Sequence, residues 1–337
     1  MKLFAALREY VADVWAAWDS FWFSPVNPAT LSAIRLFAGA MLFYTHLVWS
    51  FDLSGFFGKN GWIPVDLMRS VQLHGNNGVP RQIWTYFNYI DSPTWLWVAH
   101  IAALVIFFCL MIGFFSRTVA VLAYLVAMSY ANRVTPGAYF GLDKINCLLA
   151  MYLMLGPCGA RYSIDRIWRL RRGAPKEVPP SISANLAIRL IQLHMCIIYF
   201  FSALGKLKGV QWWEGSAVWY SSANLEYQFL VDMTWLADHP WIVSLLTHVT
   251  VYWELTYCAL VWPRLTRPWV LLMAVFVHLG IVVAYGMPTF GLVMLIGNLA
   301  FVSPETVRAW LDPVANRVSL LLVGGGAGRG RAAPAAA

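Results

Sequence analysis

Charge is what this chain has least of. Asp, Glu, Lys and Arg make up 12% of its 337 residues, against about 25% in an ordinary soluble domain. That shortage argues against a soluble protein of this length, because most side chains must then face lipid or other helices. Cysteine is sparse too. Cys109, Cys147, Cys158, Cys196 and Cys258 lie inside or at the edge of apolar runs, and none forms a metal-spaced pair. They read as small buried hydrophobes, and no metal is expected. No phosphate loop, zinc signature or nucleophile elbow occurs, and Asn76-Asn77-Gly78 is a turn signal. Acidic residues number 16 against 24 basic ones, a net charge of +8. Much of the excess sits in one loop, Arg161 to Lys176. Membrane proteins carry such loops as orientation signals, so no nucleic-acid partner is expected.

What is present is apolar length. Hydrophobic residues make up 60% of the chain, with 18 Trp and 15 Tyr, rings that favour the headgroup level of a bilayer. Runs near the roughly 20-residue spanning length fall at about 31–50, 93–114, 117–133, 140–157, 184–205, 241–262, 268–286 and 288–303. Ahead of them, Phe4, Leu7, Val11, Val14, Trp15, Trp18 and Trp22 recur at helical spacing, with Arg8, Glu9 and Asp13 on the other side. That pattern predicts a helix lying on the membrane surface. The expected fold is an all-α polytopic integral membrane bundle of about eight spanning helices plus this amphipathic N-terminal helix, with the lipid bilayer as its partner. Residues 1–26 form the amphipathic helix, 27–305 the transmembrane domain, and 306–337 a tail ending in a low-complexity stretch.

Lys and Arg counts give the orientation. Arg117, the loop with Arg161, Arg166, Arg169, Arg171, Arg172 and Lys176, the link with Arg264 and Arg267, and the tail with Arg308, Arg317, Arg329 and Arg331 share one side. The positive-inside rule makes that side cytoplasmic, together with both termini, in a multi-pass membrane protein. Segment 51–92 and the acidic stretch with Glu214, Glu226, Asp232 and Asp238 lie opposite.

Ionisable groups within apolar spans cost at least ~2.5–3.5 kcal/mol each, so each asks for a reason. Here they are Arg35, His46, His100, Asp143, Lys144, His194, Lys206, Glu254 and His278. The three histidines near span ends or midway along spans (His46, His100, His194) read as satisfied core residues. Arg35 reads equally as a snorkelling or paired structural cation and as a functional one. Lys206 ends a one-faced stripe of Gln192, Tyr199 and Ser202, and Trp212-Trp213-Glu214-Gly215 follows. A lysine in such a place either snorkels or, in an interfacial pocket, has its basicity tuned to serve as a base. Glu254 shares a face with Thr247 and Thr250, and His278 with Tyr285. These are candidate partners for Arg35, Lys144 or Lys206, and the sequence does not choose the pairs.

Tyr199-Phe-Phe-Ser-Ala-Leu-Gly-Lys206-Leu-Lys-Gly-Val-Gln-Trp-Trp-Glu-Gly215 resembles a segment of the HTTM (horizontally transferred transmembrane) domain proteins, relatives of the membrane part of vitamin K-dependent γ-glutamyl carboxylase. Ala33-Ile-Arg35-Leu-Phe-Ala-Gly39, the acid at Glu254 and Phe276-Val-His278 leading to Phe290 support it. The resemblance covers roughly residues 27–305. It implies oxidation of vitamin K hydroquinone, a lipophilic quinol, by O2 to the epoxide, with Lys206 as the base that starts the reaction. It further implies catalytic roles for Glu254, His278 and Asp143, and a quinol site built from Arg35, Tyr199, Ser202, Trp212 and Tyr285. Three departures bear on protein carboxylation more than on quinol chemistry. The chain ends soon after its last span, without the carboxylase's large luminal domain. The carboxylase's doubled lysine reads Gly205-Lys206. The region of its functional histidine reads Gly141-Leu-Asp143-Lys144. A second expectation is therefore a non-enzymatic membrane factor for maturation of a secreted peptide or partner protein. A small-solute transporter is disfavoured, because the two halves show no repeat.

Overall fold

The computed structural model describes residues 2–74, 84–133, 141–224 and 231–324. The Asn76-Asn77-Gly78 turn, Glu226, Arg329 and Arg331 lie outside the described residues. Within them the chain is all-helical and forms no strand; one isolated bridge joins Val26 to Ser181. The helices are α1 (Lys2–Phe23), α2 (Ala29–Trp49), α3 (Leu53–Phe57), α4 (Val65–His74), α5 (Pro93–Ile112), α6 (Ser116–Arg133), α7 (Gly141–Leu153), α8 (Ile164–Arg171), α9 (Ile182–Lys206), α10 (Val210–Trp213), α11 (Ala217–Ser222), α12 (Pro240–Leu260), α13 (Arg267–Tyr285), α14 (Pro288–Asn298) and α15 (Pro304–Gly324).

Local chemistry sets many of these boundaries. Ser92 caps α5 by accepting from the Thr94 amide, with Pro93 in the first turn, where its missing N–H costs nothing. Gly113 ends α5 at φ +70°, and Phe114 N–H reaches back to the Cys109 carbonyl at 2.9 Å, a left-handed helix stop that suits glycine. Ser181 caps α9 through the Ala184 amide. The cap of α6 comes from elsewhere in the chain: Asp165 of α8 accepts from the amides of Phe115 and Ser116 and from the Ser116 hydroxyl, at 2.7–2.9 Å.

Four segments are long and apolar enough to cross a bilayer: Ala29–Phe57, Pro93–Ile112, Ile182–Lys206 and Arg267–Tyr285. A fifth is added if Pro288–Phe301 and Pro304–Ser319, bent 117° from each other, form one broken span. The expected count of about eight is not confirmed, for physical reasons. The described part of α7 has 13 residues, roughly 20 Å of helix against a ~30 Å hydrocarbon core. α12 is 21 residues long but carries His248, Glu254 and three threonines. α6 opens and closes on arginine-bearing polar turns.

One continuous core runs through both halves of the chain. α2 packs against α5, α7, α14 and α15; α9 packs against α12, and α13 against α14. α2 and α5 approach tightly at Gly39, where a Cβ would lie 2.7 Å from both backbone N and Cα of Met111. α1 exposes Phe4, Trp15 and Trp18. Its C-terminal end is tied to α9: the Asn185 amide donates to the carbonyls of Phe21 (2.9 Å) and Trp22 (3.0 Å), and the Arg189 guanidinium lies over the Phe21 ring. The five cysteines are free thiols.

Candidate functional site

The stripe on α9 meets an acid on α12. Lys206 Nζ lies 2.8 Å from Oε1 and 2.6 Å from Oε2 of Glu254, and donates to the Ser202 hydroxyl at 2.7 Å. Ser202 and Glu254 thus share the one ammonium group. All three ammonium protons have acceptors. The lysine side chain is 22% exposed and the glutamate 9%, so this is a largely buried ion pair with its cationic end toward the surface. Trp212, from the short helix that follows, places its ring centroid 5.4 Å from Nζ, within cation–π range.

One helical turn deeper lies a second polar layer. Tyr199 precedes Ser202 by three residues on α9, and Tyr257 follows Glu254 by three on α12, so the antiparallel pair stacks the layers. Tyr199 Oη is 2.7 Å from His278 Nε2 and accepts from Asn298 Nδ2 at 2.8 Å. Tyr257 donates to Asn298 Oδ1 at 2.6 Å, and the second Asn298 amide proton goes to the Met294 carbonyl. With both Asn298 donors fixed, the Tyr199 hydroxyl proton finds its acceptor in His278 Nε2. That leaves His278 neutral with its proton on Nδ1, which is buried and has no hydrogen-bond partner. The rings of Trp253, Tyr257, Tyr199 and Phe290 surround this layer. Tyr199 and Tyr257 centroids are 4.2 Å apart, and Phe290 meets the His278 ring edge-on at 6.2 Å.

Of the residues singled out in the sequence, the structure thus brings together Lys206, Glu254, Ser202, Trp212, Tyr199 and His278. Arg35 stands apart. Its guanidinium donates to the carbonyls of Leu110 (2.9 Å), Met111 (2.6 Å) and Tyr162, joining α2 to the end of α5 and to the basic loop. It sits near the start of α9, whereas Lys206 lies at the far end, roughly 35 Å along that helix. Glu254 is therefore the partner of Lys206 and not of Arg35. Asp143 is buried in the first turn of α7, and Tyr285 is half-buried at the end of α13. Asn298 and Tyr257 were not singled out as site residues. Asn298 carried the one signal that would have found it, an amide within the apolar run Leu292–Phe301.

The core histidines are largely satisfied. His100 bridges Ser50 (2.9 Å) and Tyr130 (2.5 Å), and His194 meets Tyr152 at 2.8 Å. His46 Nδ1 contacts the Leu42 carbonyl at 2.7 Å, while its Nε2 has no partner. Among the described residues no three His, Cys, Asp or Glu side chains are grouped to hold a metal.

An all-helical bundle with several apolar helices of spanning length, and a lysine–glutamate pair sealed between two of its helices, defines a polytopic membrane protein. The family model of the HTTM domain matches residues 69–306, more than half of the chain, and the chain belongs to that family. No curated protein and no solved structure matches it. The HTTM domain is a membrane domain associated with vitamin K-dependent carboxylase-like proteins.

Proposed function

We propose that this protein is a carboxylase-like membrane enzyme in which Lys206 takes a proton from a lipophilic hydroquinone of the vitamin K type. The observation that carries the reading is the Lys206 ammonium shared by Glu254 and Ser202 at the end of the apolar helix α9, with the lysine side chain 22% exposed. The residues suit such a ligand in kind: the Trp212 ring lies beside the lysine, aromatic rings form the deeper layer, and His278 Nδ1 is a buried ring nitrogen without a hydrogen-bond partner.

The chain's part in the chemistry is proton handling. As an ammonium, Lys206 has no lone pair. Glu254 Oε2, 2.6 Å away, receives the ammonium proton and leaves a neutral amine. In a low-dielectric site this transfer removes two opposite charges at once, so it is far less costly than in water. The amine then accepts the incoming proton, with the first proton held on Glu254. Ser202 accepts from the lysine and fixes its direction, Trp212 covers the ammonium, and the Tyr257–Asn298–Tyr199 chain holds His278 in one tautomer. When bound, the hydroquinone supplies the reducing equivalents for O2. Orientation with the basic loops and both termini in the cytoplasm belongs to the same proposal.

The rival is a membrane factor that assists maturation of a secreted peptide and needs Lys206 only as a pin between α9 and α12. The full use of all three ammonium donors favours it. A turnover assay separates the two: purified protein with vitamin K hydroquinone and O2, epoxide resolved from quinone, and Lys206→Ala alongside. Epoxide from the native protein and none from a folded variant supports the enzyme. No epoxide from either withdraws it and leaves the fold and family standing.

A further inference from the structure

At the opposite end of the bundle, the link between α5 and α6, the segment 154–160, α8 and the start of α9 enclose a cavity of about 510 Å³. This exceeds the ~300 Å³ lower bound of typical ligand clefts. Three arginines line it, the exposed Arg117, Arg169 and Arg172, together with Ser116, Thr118, Ser183 and Trp168. Their commitments differ. Arg169 is held by carbonyls, donating to Asp165 O (3.2 Å) and Gly159 O (2.7 Å). Arg117 and Arg172 make no side-chain hydrogen bond and join no ion pair among the described residues. The one acid in the wall, Asp165, has both carboxylate oxygens occupied by the cap of α6. The lining therefore carries a net charge of +2, with two exposed and uncommitted cations, an electrostatic surplus that favours an anion.

The rest of the wall tells which anion. Met154, Leu155, Phe115 and Trp168 also line the cavity. Phe115 and Trp168 are exposed, and Trp168 packs edge-on against Phe114 at 5.3 Å. The Gly113–Phe115 turn ends α5, a span, so the cavity opens at the level where hydrocarbon gives way to headgroups. Basic pockets between membrane helices at that depth suit lipid phosphates, and an indole at the rim suits the glycerol and upper acyl region. We infer that this cavity binds the phosphate headgroup of an anionic phospholipid, with Arg117 and Arg172 as its ligands and Trp168 against the lipid body.

The test is a thermal-shift titration of the detergent-purified full chain with phosphatidylglycerol, phosphatidylcholine or inorganic phosphate, on the native protein and on R117Q/R172Q. Since neither arginine has a protein partner, the variant keeps the native melting temperature without lipid. The expected result is stabilisation by phosphatidylglycerol alone, with a titration midpoint roughly 30-fold higher in the variant, about fivefold for each cation removed. Equal midpoints in the two proteins, or equal stabilisation by phosphatidylcholine, overturn the site. Stabilisation by inorganic phosphate at the same concentrations as the lipid overturns the lipid assignment in favour of a soluble phosphate. If the double variant does not fold, R117Q and R172Q singly keep the question open to measurement, each expected to shift the midpoint about fivefold.

Discussion

Replacing Lys206 with methionine removes the ammonium while keeping an unbranched stem of similar length, so it isolates the charge. In the native protein the Glu254 carboxylate, with 9% of its side chain exposed, accepts from Lys206 through both oxygens. The variant leaves that carboxylate without its ammonium donor. Removing one partner of a buried pair costs 3–5 kcal/mol, chiefly because the other charge is stranded. The 22% exposure of the lysine lets water reach its end of the pair, which puts the cost near the bottom of that range, about 3 kcal/mol. Glu254→Gln strands the ammonium by the same logic. The double variant strands nothing, so it is no less stable than either single one, and the coupling in a double-mutant cycle is about 3 kcal/mol. Denaturant unfolding of the four proteins in one detergent measures this directly. Additive losses, or single losses below about 0.5 kcal/mol, refute the reasoning, because they would make the pair an exposed contact of the ordinary surface kind.

Three further outcomes follow from other parts of the bundle. Gly39→Ala drives a methyl group into the Met111 backbone, 2.7 Å away, and lowers stability by about 1–3 kcal/mol; an unchanged unfolding midpoint would contradict so close a helix contact. Asn298→Leu leaves the Tyr199 and Tyr257 hydroxyls short of a buried partner, costing about 1–3 kcal/mol for each group left unpaired, and turnover falls as His278 loses its fixed tautomer. Asn185→Ala frees the Trp22 carbonyl and leaves Phe21 O with Arg189 Nε alone, so limited proteolysis cuts near the end of α1 sooner, while the core fragment stays resistant.

The helices were legible in the sequence because their cause is local: a run of apolar residues, a Ser or Pro at the start, a Gly at the end. Pro93–Ile112 shows all three. The N-terminal amphipathic helix was legible for the same reason. Spanning was harder to read, since it depends on length and on what a neighbour covers. Glu254 and His248 lower the apolar character of α12, and α14 turns sharply into α15. Within the site, spacing on α9 gave the Tyr199–Ser202–Lys206 face, but pairing is a tertiary fact. Nothing in the chain's order says that Lys206 meets Glu254, 48 residues on, while Arg35 finds three carbonyls. Asn298 was hidden because a single amide among apolar residues gains meaning only when two tyrosines converge on it. The cap that Asp165 provides to α6, 49 residues earlier, is equally invisible to a reading of neighbours.

Whether Lys206 gives up a proton is decided by Lys206→Arg. Arginine retains the positive charge and can pair with both Glu254 oxygens, so the bundle keeps its ion pair, yet its guanidinium stays protonated and cannot act as a base. Epoxide formation from vitamin K hydroquinone is measured for this variant beside the native protein, with melting temperatures taken on the same samples. The account predicts native-like melting with turnover reduced by about 10²- to 10⁴-fold, the usual worth of a general base. Turnover close to native in Lys206→Arg would contradict it and leave the lysine a structural pin.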